Sequence, residues 1–270
     1  MGPQNRLPQA PRAHPAFITD LWYTLVYYRP SDQVRVEARR RVAWLRATGQ
    51  ANIPAAQARS LLRHLDEVCR RDEARGRTPP LEERARQLGR WAGAKLDARA
   101  LVDELDRCVE ERPPRVVPHA RSILRRLRRE GFRVGIVSNI VLESAGGVRR
   151  LLDRMALSPL LDAVALSADD GIAKPDPRPF RRCLHLLGVP PSQAWYLGDQ
   201  PSDVAGALAA GIAPIRYLGL ARSGPGRGLR DPPGSSPALV RGWAEVPALL
   251  RARSQSTRSA LSRPRADPRV

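Results

Sequence analysis

The sequence is poor in cysteine, histidine and lysine. Its 270 residues include three cysteines, at positions 69, 108 and 183, which is an odd number without a C-x-x-C pair. This pattern predicts neither a disulfide framework nor a zinc site, so we expect three reduced, buried thiols. The four histidines, His14, His64, His119 and His185, are isolated from one another, and no Ser/His/Asp arrangement accompanies them.

Long apolar runs are also missing. No stretch approaches the ~18 apolar residues that predict a membrane-spanning helix. The segment from Met1 to His14 is polar and proline-rich and has no apolar centre, which a signal peptide would need. The sequence therefore predicts a cytoplasmic protein without a membrane partner, of a length that suits one larger domain or a domain with an insert.

Positive charge, by contrast, is abundant. The chain has 46 basic and 27 acidic residues, a formal charge of +19, and its only lysines are Lys95 and Lys174. Arginine is spread through every segment, whereas a nucleic-acid-binding surface is usually a local basic patch interleaved with stacking aromatics. We therefore do not expect nucleic-acid binding. We expect a small anionic substrate, which this charge would attract.

Helical and strand-like patterns divide the chain into segments. Residues 1–15 and 253–270 are predicted to be disordered, as is the Gly/Pro/Arg linker at 222–228. Residues 31–112 show only helical spacing, interrupted near 52–54, 75–80 and 112–114 by proline and glycine. Residues 16–30 and 113–252 contain the strand patterns and form the predicted core. Four apolar stripes support the helices: 34/38/42/45, 58/61/62/65/68, 81/85/88 and 101/105/109.

Two predicted strands end in polar residues. The apolar run from Phe17 to Leu25 contains Asp20 and Thr24, and the run from Phe132 to Val137 ends in Ser138 and Asn139. Ligands bind beyond the carboxyl ends of strands in open parallel sheets, where an Asp can act as a covalent nucleophile. Taken alone, Asp20 could equally cap a turn and the Ser-Asn pair could cap a helix.

Two later stretches add a cation and two more carboxylates. Lys174 stands in a loop held by Pro175 and Pro177, and a lysine there offers a compact point charge in a chain that otherwise uses arginine. Another strand pattern ends at Asp199, with Asp203 at the start of the next helix. Carboxylate oxygens are the ligands that Mg²⁺ prefers. Asp20 and Asp199 could thus share a Mg²⁺ ion while Lys174 and Ser138 hold an anionic group.

The order of these stretches resembles the four motifs of the haloacid dehalogenase-like hydrolase superfamily. The motifs are Asp20-x-x-x-Thr24, Val137-Ser138-Asn139, Gly171-x-x-Lys174-Pro175 and Gly198-Asp199-x-x-x-Asp203. The resemblance covers residues 16–252 and implies an α/β fold, with a Rossmann-like doubly wound parallel sheet and an all-helical cap at 31–112. It also implies an aspartyl-enzyme intermediate and, in phosphatases, Mg²⁺.

The resemblance further implies a role for each motif residue. Asp20 becomes the nucleophile, Thr24 and Ser138 (with its neighbour Asn139) position the transferred group, and Lys174 balances the negative charge. The implied metal ligands are Asp20, Asp199, Asp203 and the backbone carbonyl of Trp22.

One position departs from the phosphatase pattern. Phosphatases of this superfamily usually carry a second Asp two residues after the nucleophile, which protonates the leaving group and activates water, but this chain has Trp22 there. An indole does neither near neutral pH. Dehalogenase members also lack this Asp, yet they usually replace the Gly-Asp pair that is intact here as Gly198-Asp199. The expected function is a Mg²⁺-dependent phosphatase acting on a small molecule; the alternatives are a 2-haloacid dehalogenase-like hydrolase and a weakly catalytic binding or regulatory protein.

Overall fold

A six-stranded parallel sheet forms the centre of the computed structural model, which describes residues 14–48, 54–93, 97–220 and 230–252. The predictions of disorder for the N-terminus before residue 14, for the C-terminal tail and for the linker at 222–228 fall outside these residues. The strands of this sheet are β1 (Ala16–Thr19), β4 (Arg133–Ser138), β5 (Ala163–Leu166), β6 (Ala194–Gly198), β7 (Ala213–Tyr217) and β8 (Ala238–Val240). Two short strands, β2 (Val26–Tyr27) and β3 (Arg115–Val116), form a separate antiparallel pair.

Helices connect these strands and also form a continuous run between β2 and β3. They are α1 (Pro30–Thr48), α2 (Ala55–Ala74), α3 (Leu81–Trp91), α4 (Ala98–Glu111), α5 (Ala120–Arg129), α6 (Ala145–Arg154), α7 (Ser167–Asp170), α8 (Arg178–Leu187) and α9 (Pro201–Ala209). A last helix is described from residue 246 to residue 252. No helix among the described residues is both long enough and apolar enough to cross a membrane.

The strand order is β5-β4-β1-β6-β7-β8, and every neighbouring pair is parallel. The chain runs outward from β1 through β4 and β5 on one side, and then returns to β6, β7 and β8 on the other. Ligands bind at such a reversal, beyond the carboxyl ends of the strands. The prediction of an α/β, Rossmann-like sheet is confirmed.

Alternate residues of β1 enter two separate cores, because successive side chains of a strand point to opposite faces. Phe17 belongs to the cluster formed with α5, α6 and the C-terminal segment, including Leu124, Val148 and Trp243. Ile18 belongs to the cluster formed with α8 and α9, including Phe180. A strand buried on both faces is held rigidly, which fixes the position of the residue that follows it.

The run α1 to α4, which we call the helical insert (residues 30–111), has a core of its own. Its buried residues are Ala43, Leu65, Cys69, Leu81, Ala85, Leu88, Leu101, Val102, Leu105 and Cys108. The stripes predicted for the third and fourth helices are buried as expected. The stripe predicted for α1 is wrong where its side chains are described: Val34 is 65% exposed, Ala38 is exposed, and the buried residues are Val36 and Ala43. The spacing in α1 fits more than one face, and packing against α4 selects the face that is buried.

The helical insert contacts two loops of the core. The Thr78 amide donates to the Gly171 carbonyl (2.7 Å), and the Ala173 amide donates to the Gly76 carbonyl (3.0 Å), just before Lys174. Arg84, which is buried, donates through Nη1 to the Val141 carbonyl (2.7 Å), in the loop after β4. The insert therefore touches two of the four polypeptide stretches that carry predicted site residues, the one after β4 and the one before Lys174.

The three cysteines are buried, reduced thiols, as predicted. Cys69 and Cys108 lie in the core of the helical insert, and Cys183 lies under the sheet on α8. Burial raises the pKa of the Cys183 thiol to about 12, so this thiol stays protonated and unreactive near neutral pH.

Candidate active site

Asp20 directly follows the central strand. Its backbone amide continues the pairing of β1 with β6 by donating to the Leu197 carbonyl (2.8 Å). The chain then turns tightly: the amides of Leu25 and Val26 both donate to the Leu21 carbonyl (2.9 Å each). These bonds hold the Asp20 backbone in place on either side of the residue, as a nucleophile requires.

The turn after Asp20 is fixed from a distance by Trp243. The buried indole Nε1–H donates to the carbonyl of Thr24 (2.8 Å), and the ring packs edge-on against Phe17 with 5.8 Å between centroids. The Thr24 hydroxyl donates to Asp199 Oδ1 (3.2 Å). Thr24 thus orients a carboxylate of the site, and Trp243 orients Thr24.

Lys174 lies at the centre of the site and is almost fully buried. Its Nζ contacts Asp20 Oδ1 at 2.7 Å, Asp203 Oδ1 at 2.6 Å and the Tyr196 hydroxyl at 3.0 Å. An ammonium group has three N–H donors, so these three acceptors satisfy it. One cation therefore bridges the carboxylate after β1 and the carboxylate on α9.

Tyr196 completes this network from below. Its side chain is buried on β6, and its hydroxyl lies 2.8 Å from the Val137 carbonyl and 3.1 Å from Asp203 Oδ1. The single hydroxyl proton goes to one of these acceptors, while an oxygen lone pair faces Lys174. Burial, followed by the nearby Asp203 and Asp20 charges, raises the pKa of Tyr196 well above its usual value, so it remains a neutral phenol.

Asn139 fixes the backbone of Lys174. Its Oδ1 accepts from the Lys174 amide (2.8 Å), and its Nδ2 donates to the Lys174 carbonyl (3.2 Å). The Ser138 hydroxyl, at the end of β4, donates weakly to the Asn139 carbonyl (3.3 Å). It also lies close to Asp20, where it offsets part of the rise that burial causes in the pKa of that carboxyl. These hydrogen bonds hold the Lys174 loop against the end of β4.

Asp199 and Asp203 bracket the start of α9. Asp203 Oδ2 accepts from the Gln200 backbone amide (2.8 Å), and Asp199 Oδ2 accepts from the Gln200 side-chain amide (3.1 Å). Gly198 makes this packing possible, because a Cβ at this position would lie 2.3 Å from Asp203 Oδ2. Since both oxygens of Asp203 accept hydrogen bonds, the observed contacts give it a positioning role; direct metal ligation by Asp203 stays a prediction.

Burial and mutual repulsion raise the pKa of the Asp199 and Asp20 carboxyls. The pKa of Asp199 is raised from 3.8 to about 8, first by burial and then by the charges of Asp203 and Asp20. The pKa of Asp20 is raised from 3.8 to about 6 by burial, although Lys174 acts in the opposite direction. The Lys174 pKa is raised because its two carboxylate partners outweigh its own burial. Three carboxylates thus face a single cation.

This charge imbalance fits a divalent metal ion. Asp20, Asp199 and Asp203 each offer one oxygen, and these oxygens lie within 4.8 Å of one another. All three residues are buried, so water compensates their charge poorly. Hard oxygen donors suit Mg²⁺, which usually takes one or two protein carboxylates together with water and substrate oxygens.

Trp22 lines a cleft between the core and the helical insert. Its ring stacks on Tyr28, with centroids 6.1 Å apart and planes inclined by 22°. The cleft has a volume of about 180 Å³ and is lined by Trp22, Tyr23, Tyr28, Gln33, Val36, Glu37, Arg40, Asn139, Val141, Leu142 and Glu143. The position where the resemblance places an acid is therefore occupied by an aromatic wall.

The structure brings seven predicted side chains into one cluster, which is buried except for the half-buried Asn139: Asp20, Thr24, Ser138, Asn139, Lys174, Asp199 and Asp203. Sequence reasoning missed Tyr196, Gln200 and Trp243. Tyr196 stands inside an apolar strand pattern and Trp243 lies 219 residues from its partner Thr24, so neither had a local signal. Gln200 follows Asp199 directly, and its place between two acids was the available clue.

Comparisons with known proteins identify the family of this chain. The family model for haloacid dehalogenase-like hydrolases matches residues 14–211. A phosphoserine phosphatase from Thermus thermophilus is 32% identical over 200 residues, which cover 73% of this chain and 73% of that protein. A phosphoglycolate phosphatase from Rhodospirillum rubrum is 41% identical over 100 residues, which cover 36% of this chain and 39% of that protein.

Solved structures share this fold. A 2-haloacid dehalogenase from Pseudomonas syringae superposes with a TM-score of 0.63 and 23% identity, over 88% of this chain and 99% of that one. The chain belongs to the haloacid dehalogenase-like hydrolases. Several of its sequence relatives are phosphatases.

Proposed function

We propose that this protein is a Mg²⁺-dependent phosphatase that hydrolyses phosphate esters of small molecules through an aspartyl-phosphate on Asp20. The observation that supports this most directly is the buried set of three carboxylates around a single lysine. Dehalogenases of this superfamily usually replace the Gly-Asp pair that is intact here as Gly198-Asp199, so the presence of Asp199 favours the phosphatase over that alternative. In a phosphatase Asp199 can help to hold a metal ion.

The first step would be attack by a carboxylate oxygen of Asp20 on phosphorus, with cleavage of the bond from phosphorus to the leaving oxygen. Lys174, 2.7 Å from Asp20 Oδ1, keeps Asp20 ionised and offsets the approach of an anionic substrate. In the second step water attacks phosphorus, the bond to Asp20 breaks, and inorganic phosphate leaves with the carboxylate restored.

Asp20 and Asp199 are the residues that would hold Mg²⁺, with the Trp22 carbonyl as the third protein ligand implied by the family motif. When bound, the ion supplies positive charge for the phosphoryl oxygens. The protein's own contribution is orientation: Thr24 and Gln200 hold Asp199, while Tyr196 and Asp203 hold Lys174. This buried frame would need little rearrangement during the reaction.

Trp22 limits the kind of ester that reacts well. Proton transfer by a positioned side chain is typically worth ~10²–10⁴ in rate, and an indole cannot supply it. An aryl or acyl phosphate releases a weak base and needs little help, whereas an alkyl phosphate releases a strong base. We therefore propose that the rate falls steeply as the pKa of the leaving group rises.

The decisive experiment measures phosphate release with aryl phosphates of graded leaving-group pKa and with alkyl phosphates, with and without Mg²⁺. Asp20→Asn keeps the shape of the side chain and should abolish release. Trp22→Asp should flatten the dependence on the leaving group. A wild type with a flat dependence would show that another residue supplies the proton.

Metal dependence separates this function from the alternatives. Hydrolysis of 2-haloacids that persists in excess chelator would overturn the phosphatase proposal in favour of a dehalogenase. Absence of hydrolysis with either substrate class, together with saturable phosphate binding, would indicate a binding protein with little catalytic activity.

A further inference from the structure

The cleft beside Trp22 lies where a leaving group would sit. Two of its lining residues belong to the site just described: Trp22 follows the nucleophile Asp20 by two positions, and Asn139 holds the backbone of Lys174. The opposite wall comes from α1 of the helical insert, through Gln33, Val36 and Arg40. A substrate whose phosphoryl group faces Asp20 would therefore extend its organic part between core and insert.

The size and composition of the cleft select for a flat, apolar group. Its volume of about 180 Å³ is similar to the ~150 Å³ of a cavity that accepts benzene. Trp22, Tyr23 and Tyr28 supply aromatic surface, and Val36, Val141 and Leu142 supply aliphatic surface. Aromatic rings pack favourably in offset or edge-on geometry against such walls.

The charges of the cleft disfavour a second anionic group on the substrate. Arg40 is the only cation among the described residues that line it, and its guanidinium is already paired with Glu143. Glu37, also in the lining, adds a further negative charge. A carboxylate on the leaving group would meet two acidic side chains and one arginine whose Nη2 is paired with Glu143, and like charges repel strongly when partly desolvated.

We propose, building on the phosphatase function above, that this cleft binds an uncharged aryl group and that the substrates are aryl phosphate monoesters. An aryl leaving group would explain two features together: the indole of Trp22 at the position of the implied acid, and the aromatic lining of the cleft. An aryl oxide departs without a proton, and the indole that replaces the acid stacks near the ring that departs.

The test compares three phosphonates that cannot be hydrolysed, measured by calorimetry on the Mg²⁺-loaded full chain. They are phenylphosphonate, methylphosphonate and phosphonoacetate. Phenylphosphonate should bind about 10- to 100-fold more tightly than methylphosphonate, the factor expected for burying a benzene-sized ring. Phosphonoacetate, which carries a carboxylate, should bind no more tightly than methylphosphonate.

Two variants identify the wall responsible. Tyr28→Leu and Val36→Ala should each reduce the phenyl-to-methyl ratio severalfold while methylphosphonate affinity, which reports on the phosphoryl site, stays constant. Trp195→Leu is the matched control, because Trp195 packs against Phe132 on the sheet, outside the cleft. Circular dichroism checks that each variant is folded.

Each outcome bears on a different claim. Equal affinity of wild type for phenylphosphonate and methylphosphonate would overturn the aryl cleft, and tighter binding of phosphonoacetate would overturn the charge argument. Failure of all three ligands to bind would overturn both the cleft and the phosphoryl site. A clear preference for phenylphosphonate, combined with no phosphate release from any ester, would support the cleft and overturn the phosphatase function.

Discussion

Replacing Asp199 by Asn should stabilise the metal-free protein at alkaline pH, although Asp199 belongs to the candidate active site. The folded protein holds Asp199 at a pKa of about 8, against 3.8 for an unperturbed carboxyl. Between these values the folded state keeps a proton that the unfolded chain has released. Because the folded state binds more protons, the free energy of unfolding falls as pH rises through this window.

The size of the effect follows from the same shift. The difference between 3.8 and about 8 is about four pKa units, and at ~1.4 kcal/mol per unit the upper limit is about 6 kcal/mol. Asp20 and Asp203 share the repulsion and remain charged in the variant. We therefore expect the free energy of unfolding of Asp199→Asn to exceed that of wild type by about 2–4 kcal/mol above pH 8. Asn can still accept from Thr24, and the Gln200 amide can turn its oxygen toward the new amide.

Urea unfolding in excess chelator from pH 5 to pH 9 measures this directly. Wild type should lose stability as pH rises, and Asp199→Asn should lose much less. Asp153→Asn, an exposed carboxylate on α6, is the control and should follow wild type. Mg²⁺ should restore wild type at pH 8, by about 2.7 kcal/mol at a hundred times its Kd, and should leave the variant unchanged. Parallel curves for wild type and Asp199→Asn in chelator would refute the reasoning.

Three further substitutions test the supporting frame. Tyr196→Phe removes the hydroxyl that lies 3.0 Å from Lys174 Nζ. The kcat should fall about tenfold with little change in KM, since ~1.5 kcal/mol is typical of a hydrogen bond to a charged group. An unchanged kcat would contradict a positioning role for Tyr196. Trp243→Phe keeps an aromatic ring but leaves the Thr24 carbonyl without its donor, which should cost about 1–3 kcal/mol in chemical denaturation; a cost near zero would show that Thr24 is held otherwise. Gly198→Ala places a Cβ 2.3 Å from Asp203 Oδ2 and should destabilise the chain by about 1–3 kcal/mol, so wild-type melting would mean that α9 shifts freely.

The candidate site residues could be predicted because they stand at the ends of strands that the sequence marks clearly. Asp20, Ser138 and Asp199 each follow a short apolar run, and parallel strands place their carboxyl ends at one edge of the sheet. Lys174 was distinguished by being a lysine in an arginine-rich chain. These signals are local in sequence, so spacing and residue type were sufficient.

Some elements were missed because local pattern gives no clear signal for them. β7 contains Pro214, which removes a backbone donor and weakens a strand pattern. The buried face of α1 depends on its packing against α4, since Val34 and Val36 both fit a helical stripe. In each case the deciding contact is with another element of the fold.

What the sequence by itself determined is which groups are available for chemistry: a carboxylate at a strand end, a lysine and further carboxylates suited to a metal ion, with Trp22 at the position where the family resemblance implies an acid. Only the tertiary structure decided how these groups are held. Tyr196 resembles a core residue until its hydroxyl is found beside Lys174, and Trp243 reaches Thr24 across 219 residues. The cleft between Trp22 and α1 likewise exists only when core and insert are packed together. Hydrophobic periodicity reports which residues are buried, whereas the partners they meet depend on how distant segments fold against one another.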